Sequence, residues 1–203
     1  MKRLLLNILL ILTLSISSSA QIKIDIGFKI SGNNNLGNKN PSYGMTIRVV
    51  PKFDKNVMDM SLDYLPKATK TQTDDGQAIS TKIFYRRYLN NSFYMAGGMS
   101  CSHLTTNLFS ETATNMLMGM GLDLDKVRIQ FTYSPKDFTS IHKVSNYDLE
   151  VEYLKYISEK GIYLSFRPTI GMSRFTQQRG VSSFYDVLTG SKVAIVVSIG
   201  KTF

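Results

Sequence analysis

Tryptophan is absent from this chain of 203 residues, cysteine occurs once and histidine twice. A lone Cys101 excludes an intrachain disulfide framework. Cys101 and His103 share a face of an extended chain, but no third or fourth ligand stands near them, so the pair makes no metal centre. Beyond residue 20 there is no apolar run long enough for a helix to cross a bilayer, which takes about 20 residues. There is likewise no linker, low-complexity tract or compositional break to mark a second domain. If the chain lives in a membrane, it does so without helices.

What is present begins with a leader. Lys2 and Arg3 precede an apolar stretch from Leu4 to Ile16, and Ser18-Ser19-Ala20 closes it with small residues. That is the layout of a secretory signal peptide over 1–20, leaving 21–203 as the exported domain. No cysteine follows the apolar stretch, which argues against a lipid-anchored route. The net charge of +9 includes Lys2 and Arg3, and the remainder is still basic. For an exported chain this fits anionic lipid headgroups or lipopolysaccharide phosphates. Nothing resembles the aromatic-interleaved basic surface of a nucleic-acid binder.

The exported part alternates. In 22–31, Ile22, Ile24, Ile26, Phe28 and Ile30 fall on one side, and Lys23, Asp25, Gly27, Lys29 and Ser31 on the other. A helix would scatter these charges around its circumference, whereas a strand gathers them on one face. The same period runs through 42–50, 57–65, 127–134, 147–153 and 193–203. The segments at 79–89, 92–101, 114–124 and 161–173 complete a set of about ten strands. The connections alternate between long (32–41, 66–78, 102–113, 135–146, 174–191) and short (51–56, Asn90-Asn91, around Asp125, Ser158 to Gly161). Asn90-Asn91 suits a two-residue hairpin, because Asn tolerates positive φ.

Tight turns at one rim and longer loops at the other are the layout of an up-and-down barrel. The expected fold is therefore all-β: a closed antiparallel transmembrane barrel of about ten strands, or about eight. Closure pairs the last strand with residues 22–31 and leaves no edge. Tyr43, Tyr64, Tyr133, Tyr147, Tyr153 and Phe131 can supply the interfacial aromatic girdle in place of tryptophan. Met58, Met60, Met95, Met99, Met116, Met118 and Met120 read as packing or lipid contacts.

The polar face then lines the lumen. It carries Lys23, Asp25, Lys29, Asp59, Asp63, Lys82, Arg86, Arg128, Asp148, Glu150, Glu152 and Arg167. Acidic strand three lies beside basic strand four, and acidic strand eight between Arg128 and Arg167. Confined charges are tolerable when paired, and a barrel of about eight strands is just filled by its side chains. A salt-bridged plug is the expectation, with a narrow charged pore as the alternative.

The last strand places Val193, Ile195, Val197 and Ile199 at alternate positions before a terminal Phe203, with Lys201 departing from the pattern. It resembles the C-terminal signal of outer-membrane β-barrel proteins, and the whole exported chain resembles the small, porin-like barrels of Gram-negative bacteria. The resemblance implies residence in the outer membrane, contact with lipid and lipopolysaccharide, and recognition of Val197, Ile199 and Phe203 by the barrel assembly machinery. It implies a structural or partner-binding role through extracellular loops, with no cofactor or metal; the first alternative is a narrow porin for small polar solutes. Basic loop residues, including Lys136, Lys143, Arg174 and Lys192, are candidates for lipopolysaccharide phosphates. The second alternative is a lipid-modifying hydrolase. His142, Ser145 and Glu150 are distantly similar to the His–Ser–Glu set of outer-membrane lipid A deacylases, with His and Ser three apart rather than two.

Overall fold

The computed structural model describes residues 21–33, 41–70, 75–105, 110–135, 143–179 and 184–203. The leader of 1–20 lies outside them. Ten strands follow one another: β1 (Gln21–Asn33), β2 (Ser42–Phe53), β3 (Asn56–Lys70), β4 (Asp75–Tyr88), β5 (Phe93–Thr105), β6 (Ser110–Leu124), β7 (Val127–Ser134), β8 (Lys143–Tyr156), β9 (Ile162–Arg179) and β10 (Phe184–Thr202). Each pairs antiparallel with its neighbours in sequence, and β1 pairs with β10, so the sheet is a closed barrel. Closure reaches the last residue: Phe203 N–H donates to Ile22 O at 2.8 Å, and Ile22 N–H donates to Phe203 O at 3.2 Å.

The short-turn rim is tied together in a regular way. One carbonyl from each turn accepts from the strand beyond it: Lys55 from Tyr88 N–H, Ser92 from Asp123, Lys126 from Leu154, and Gly161 from Thr202, at 2.8 to 2.9 Å. The turns themselves differ from the expectation at one place. Asn90 does not work through positive φ; among described non-glycine residues only Asp54 (50°) and Asp125 (62°) have it. Instead, Asn90 Oδ1 accepts from the backbone N–H of Ser92 (2.9 Å) and Phe93 (2.7 Å), an Asx-type turn. Gly161, at φ 79°, ends the β8–β9 turn, where a Cβ would stand 2.8 Å from Thr202 O.

At the other rim the strands run further than their apolar alternation. β9 and β10 hold 18 and 19 residues, and their ladder continues to Arg179–Phe184 through the polar stretch expected to be a loop. Crossing a bilayer takes only about 9–11 residues per strand. Backbone pairing needs no apolar side chain, so a hairpin extends past the point where the sequence pattern stops. The β3–β4 ladder slips its register between Leu65 and Thr69, beside Pro66, which has no N–H to contribute.

Candidate functional site

The lumen is built from the inward set of every strand. β2 sends Gly44, Thr46, Arg48 and Val50 inward, all buried. Arg48 is the hub of a charged layer. Its Nε and Nη2 donate to both Asp59 oxygens (2.8 and 2.6 Å), and its Nη1 donates to Glu152 Oε1 at 2.5 Å. The same Nη1 stands 3.8 Å from Asp25 Oδ2. Arg86 Nη2 shares Asp59 Oδ2 at 2.7 Å. Arg128 Nη2 holds Glu152 Oε2 at 2.6 Å and reaches Glu150 at 3.4 Å and Asp59 at 3.8 Å. Arg167 Nη2 donates to Asp25 Oδ1 at 3.1 Å. Hydroxyls occupy remaining acceptor sites: Ser165 donates to Glu152 at 3.1 Å and Tyr163 to Asp25 at 3.3 Å.

This layer balances charge, with Arg48, Arg86, Arg128 and Arg167 set against Asp25, Asp59, Glu150 and Glu152. Burying one ion costs several kcal/mol, on the order of what two-pronged, hydrogen-bonded pairing can offset. Adjacent strands set up part of the pairing, since Asp25 faces Arg48 and Arg128 faces Glu152 in register. The Arg48–Glu152 contact does not follow a strand pair: it crosses the lumen from β2 to β8.

β5 and β6 bring no charge to the layer. Their inward side is small, and aromatics fill it. Phe84 and Tyr94 are fully buried, and Tyr94 lies over Gly121 of the next strand, where a Cβ would meet its Cζ at 2.5 Å. Tyr94 Oη donates to Gln130 at 3.0 Å. Tyr163 covers Gly200 in the same fashion, again at 2.5 Å from a built Cβ.

The layer divides the lumen. A cavity of about 800 Å³ opens at the short-turn rim and ends at Arg48, Arg86, Arg128 and Glu152. A second, of about 300 Å³, ends at Arg48, Asp59, Glu150 and Arg167 from the other side. The ion pairs Lys29–Asp63 and Lys192–Asp148 (3.5 Å) stand on that far side.

Of the residues expected in the lumen, Asp25, Asp59, Arg86, Arg128, Glu150, Glu152 and Arg167 come together in the layer. Asp63 pairs with Lys29 instead. Lys23 stands in the larger cavity and Lys82 in the smaller one, with its Nζ 4.9 Å from the Phe84 ring centre. Arg48 was not among the expected residues, although it is the one charged residue opposite the apolar face of 42–50. Lys192 belongs to β10 and the lumen rather than to a loop; Lys136 lies outside the described residues.

The hydrolase set is not assembled. Ser145 shares the outward parity of Tyr147 and Leu149 on β8, whereas Glu150 points into the lumen, so the barrel wall separates them. His142 lies outside the described residues. His103 sits on β5 rather than in a loop, with Nδ1 2.8 Å from Thr112 Oγ1 and Nε2 3.0 Å from Thr105 Oγ1. Cys101 is exposed on the outer face. Among the described residues no group of three His, Cys, Asp or Glu is placed to hold a metal.

The outer wall is apolar almost throughout. Ile26, Met45 and Ile170 are 51, 57 and 62 % exposed, and the methionines at 95, 99, 116, 118 and 120 face the same way. A continuous apolar surface of this kind cannot stand in water. Toward the short turns the first outward charges are Arg87, Lys155 and Lys201, where long side chains reach the interface. Tyr133 stacks on Tyr147 (4.9 Å) and Phe28 on Tyr43 (6.2 Å); Phe131 lies two residues closer to the turns, within the apolar band. Apolar outside, polar inside, closed on itself: hydrocarbon accepts strands only in that form.

The chain is a transmembrane β-barrel. Its fold is a closed antiparallel barrel of ten strands. No family model matches the sequence, and no curated protein matches it. Solved structures resemble it in fold. Neisserial surface protein A is 8 % identical, with 91 % of this chain and 97 % of that one covered at a TM-score of 0.43. Ail, the attachment invasion locus protein of Yersinia pestis, is 10 % identical over 91 % and 99 % at 0.38. The outer membrane protease OmpT of Escherichia coli is 9 % identical over 91 % and 96 % at 0.42.

Proposed function

We propose that this barrel is a closed outer-membrane protein, structural or partner-binding at its long-loop rim, whose lumen is sealed by the arginine–carboxylate layer. The observation that carries this reading is Arg48, which reaches Asp59 on the adjacent strand and Glu152 on the opposite wall at once. Both cavities end against it. A solute would have to break several buried charge-assisted contacts to pass, each worth about 1.5–3 kcal/mol. The exported domain reaches the membrane after loss of 1–20. Its final strand, with Val197, Ile199 and Phe203 all on the lipid face, is the element offered to the assembly machinery. Lipid and lipopolysaccharide are its immediate surroundings.

The test is a planar bilayer. The refolded barrel should show no steady conductance, and a stable open channel in the wild-type protein would overturn the sealed reading. A narrow porin is the second reading, favoured by one fact: a single layer separates the two cavities, so little has to move to join them.

A further inference from the structure

Outside the charged layer, the larger cavity is lined by Lys23, Lys52 and Lys55 against Asp54, Asp123 and Asp125, and Arg86 closes its inner end. Lys23 and Lys52 lie over tyrosine rings, and neither has an ion pair among the described residues. Lys23 Nζ lies 5.7 Å from the ring centre of Tyr156 and 5.9 Å from that of Tyr163, and Lys52 Nζ lies 6.0 Å from that of Tyr88. A ring face steadies an ammonium but cancels none of its charge. Arg86 is 1 % exposed and rests over Tyr94 at 5.7 Å. Among the described residues its one carboxylate partner, Asp59, is already held by both prongs of Arg48, and its Nε has no partner.

The acids nearby are engaged or peripheral. Glu152 is bound by Arg48 and Arg128, and Asp123 accepts from Tyr88 Oη. Asp54 and Asp125 sit on turns at the mouth. A dead-ended cavity with low-dielectric walls focuses the field of such a cluster.

We infer that this cavity is a binding site for a small, soluble phosphate-bearing anion entering from the short-turn side. Lys23 and Lys52 supply movable ammonium donors, and Arg86 supplies fixed charge at the closed end. Tetrahedral, multiply charged phosphate can meet donors from several walls simultaneously, which a monovalent anion does less well. The mouth is ringed by the turns and not by the lipid-facing surface, so the phosphate comes from solution rather than from a lipid headgroup.

Pyrophosphate is the probe, titrated calorimetrically into the refolded full barrel in non-ionic detergent. Saturable binding that weakens with added sodium chloride is expected. The Lys23→Gln/Lys52→Gln double variant should lose about tenfold or more in affinity while keeping the mobility shift on heating that reports a folded barrel. Lys29→Gln, on the far side of the layer, should bind as the wild type does. Absence of binding, equal affinity in the double variant, or loss through Lys29→Gln alone would each overturn the site. So would protection of the barrel only by micelles doped with phosphatidylglycerol. Conductance reports on the charged layer separately, so an open lumen with intact pyrophosphate binding would overturn the sealed reading and leave this one standing.

Discussion

Arg48 and Glu152 are separated by 104 positions in the chain and meet at 2.5 Å across the lumen. The contact joins two walls that share no ladder, because β2 pairs with β1 and β3, and β8 with β7 and β9. It turns two sets of strand-to-strand ion pairs into one layer.

Removing one partner leaves the other charged and buried. Arg48→Met should destabilise the refolded barrel by about 3–5 kcal/mol, read as a shift in the urea midpoint in lipid vesicles. Arg48→Met combined with Glu152→Leu should recover part of that loss, because three guanidiniums then still face three carboxylates and contacting sites do not add. Losses that simply sum across the two would show that the layer contributes no coupling.

Conductance should respond to the same residues. Arg48→Ser with Arg128→Ser removes two of the guanidiniums that fill the gap between the cavities of about 800 and 300 Å³. The double variant should show single-channel events in a planar bilayer where the wild type shows none. A silent variant that still shifts on heating would place the seal elsewhere.

The tyrosine–glycine seats make a second structural prediction. A side chain at Gly121 collides with Tyr94, and with Ile129 O behind it. Gly121→Val should cost about 1–3 kcal/mol in overpacking and slow the appearance of the heat-shifted band during refolding. Tyr94→Ala in the same chain should recover part of the loss, since half the collision is with the ring.

The outer face offers a depth test. Ile170 is exposed on the outer face of β9, and Ile170→Arg should cost about 2–4 kcal/mol in vesicles if it faces mid-bilayer. Leu substituted for Lys155, at the turn-side edge, should change stability by only about 0–1 kcal/mol. Similar effects at both positions would deny the apolar band its lipid.

Assembly in cells is a separate matter from stability in vesicles. Phe203→Ala should lower the amount of heat-shifted barrel in the outer-membrane fraction, with little change in the urea midpoint, because the backbone of Phe203 and not its ring closes the barrel against Ile22. Normal yield from that variant would remove the terminal aromatic from the assembly signal.

Period-two alternation made the strands, the two faces and barrel closure readable from residue types alone. In β1 a single residue of slip would put Lys23, Asp25 and Lys29 into lipid, so composition dictates orientation. The same logic marked Asp25, Asp59, Arg128 and Glu152 as inward. Arg48 was equally legible by parity, being the lone charge opposite Tyr43, Met45 and Ile47. The hairpin ends were not legible, because the ladder from Ser173–Gly190 to Arg179–Phe184 needs only backbone groups. Nor was the start of β8 at Lys143, which carries Ser145 out of the expected loop and onto the face opposite Glu150.

Local pattern thus determined which side of the wall each side chain takes, because alternation is a property of one strand and of the solvent on either side. The partner of each lumen charge was decided by tertiary structure. Shear and closure of the barrel set the height at which each inward residue stands, and they bring Arg48 level with Glu152 rather than leaving it with Asp25 alone. Height around a closed ring is a sum over every turn and register in the chain, and no single segment carries it.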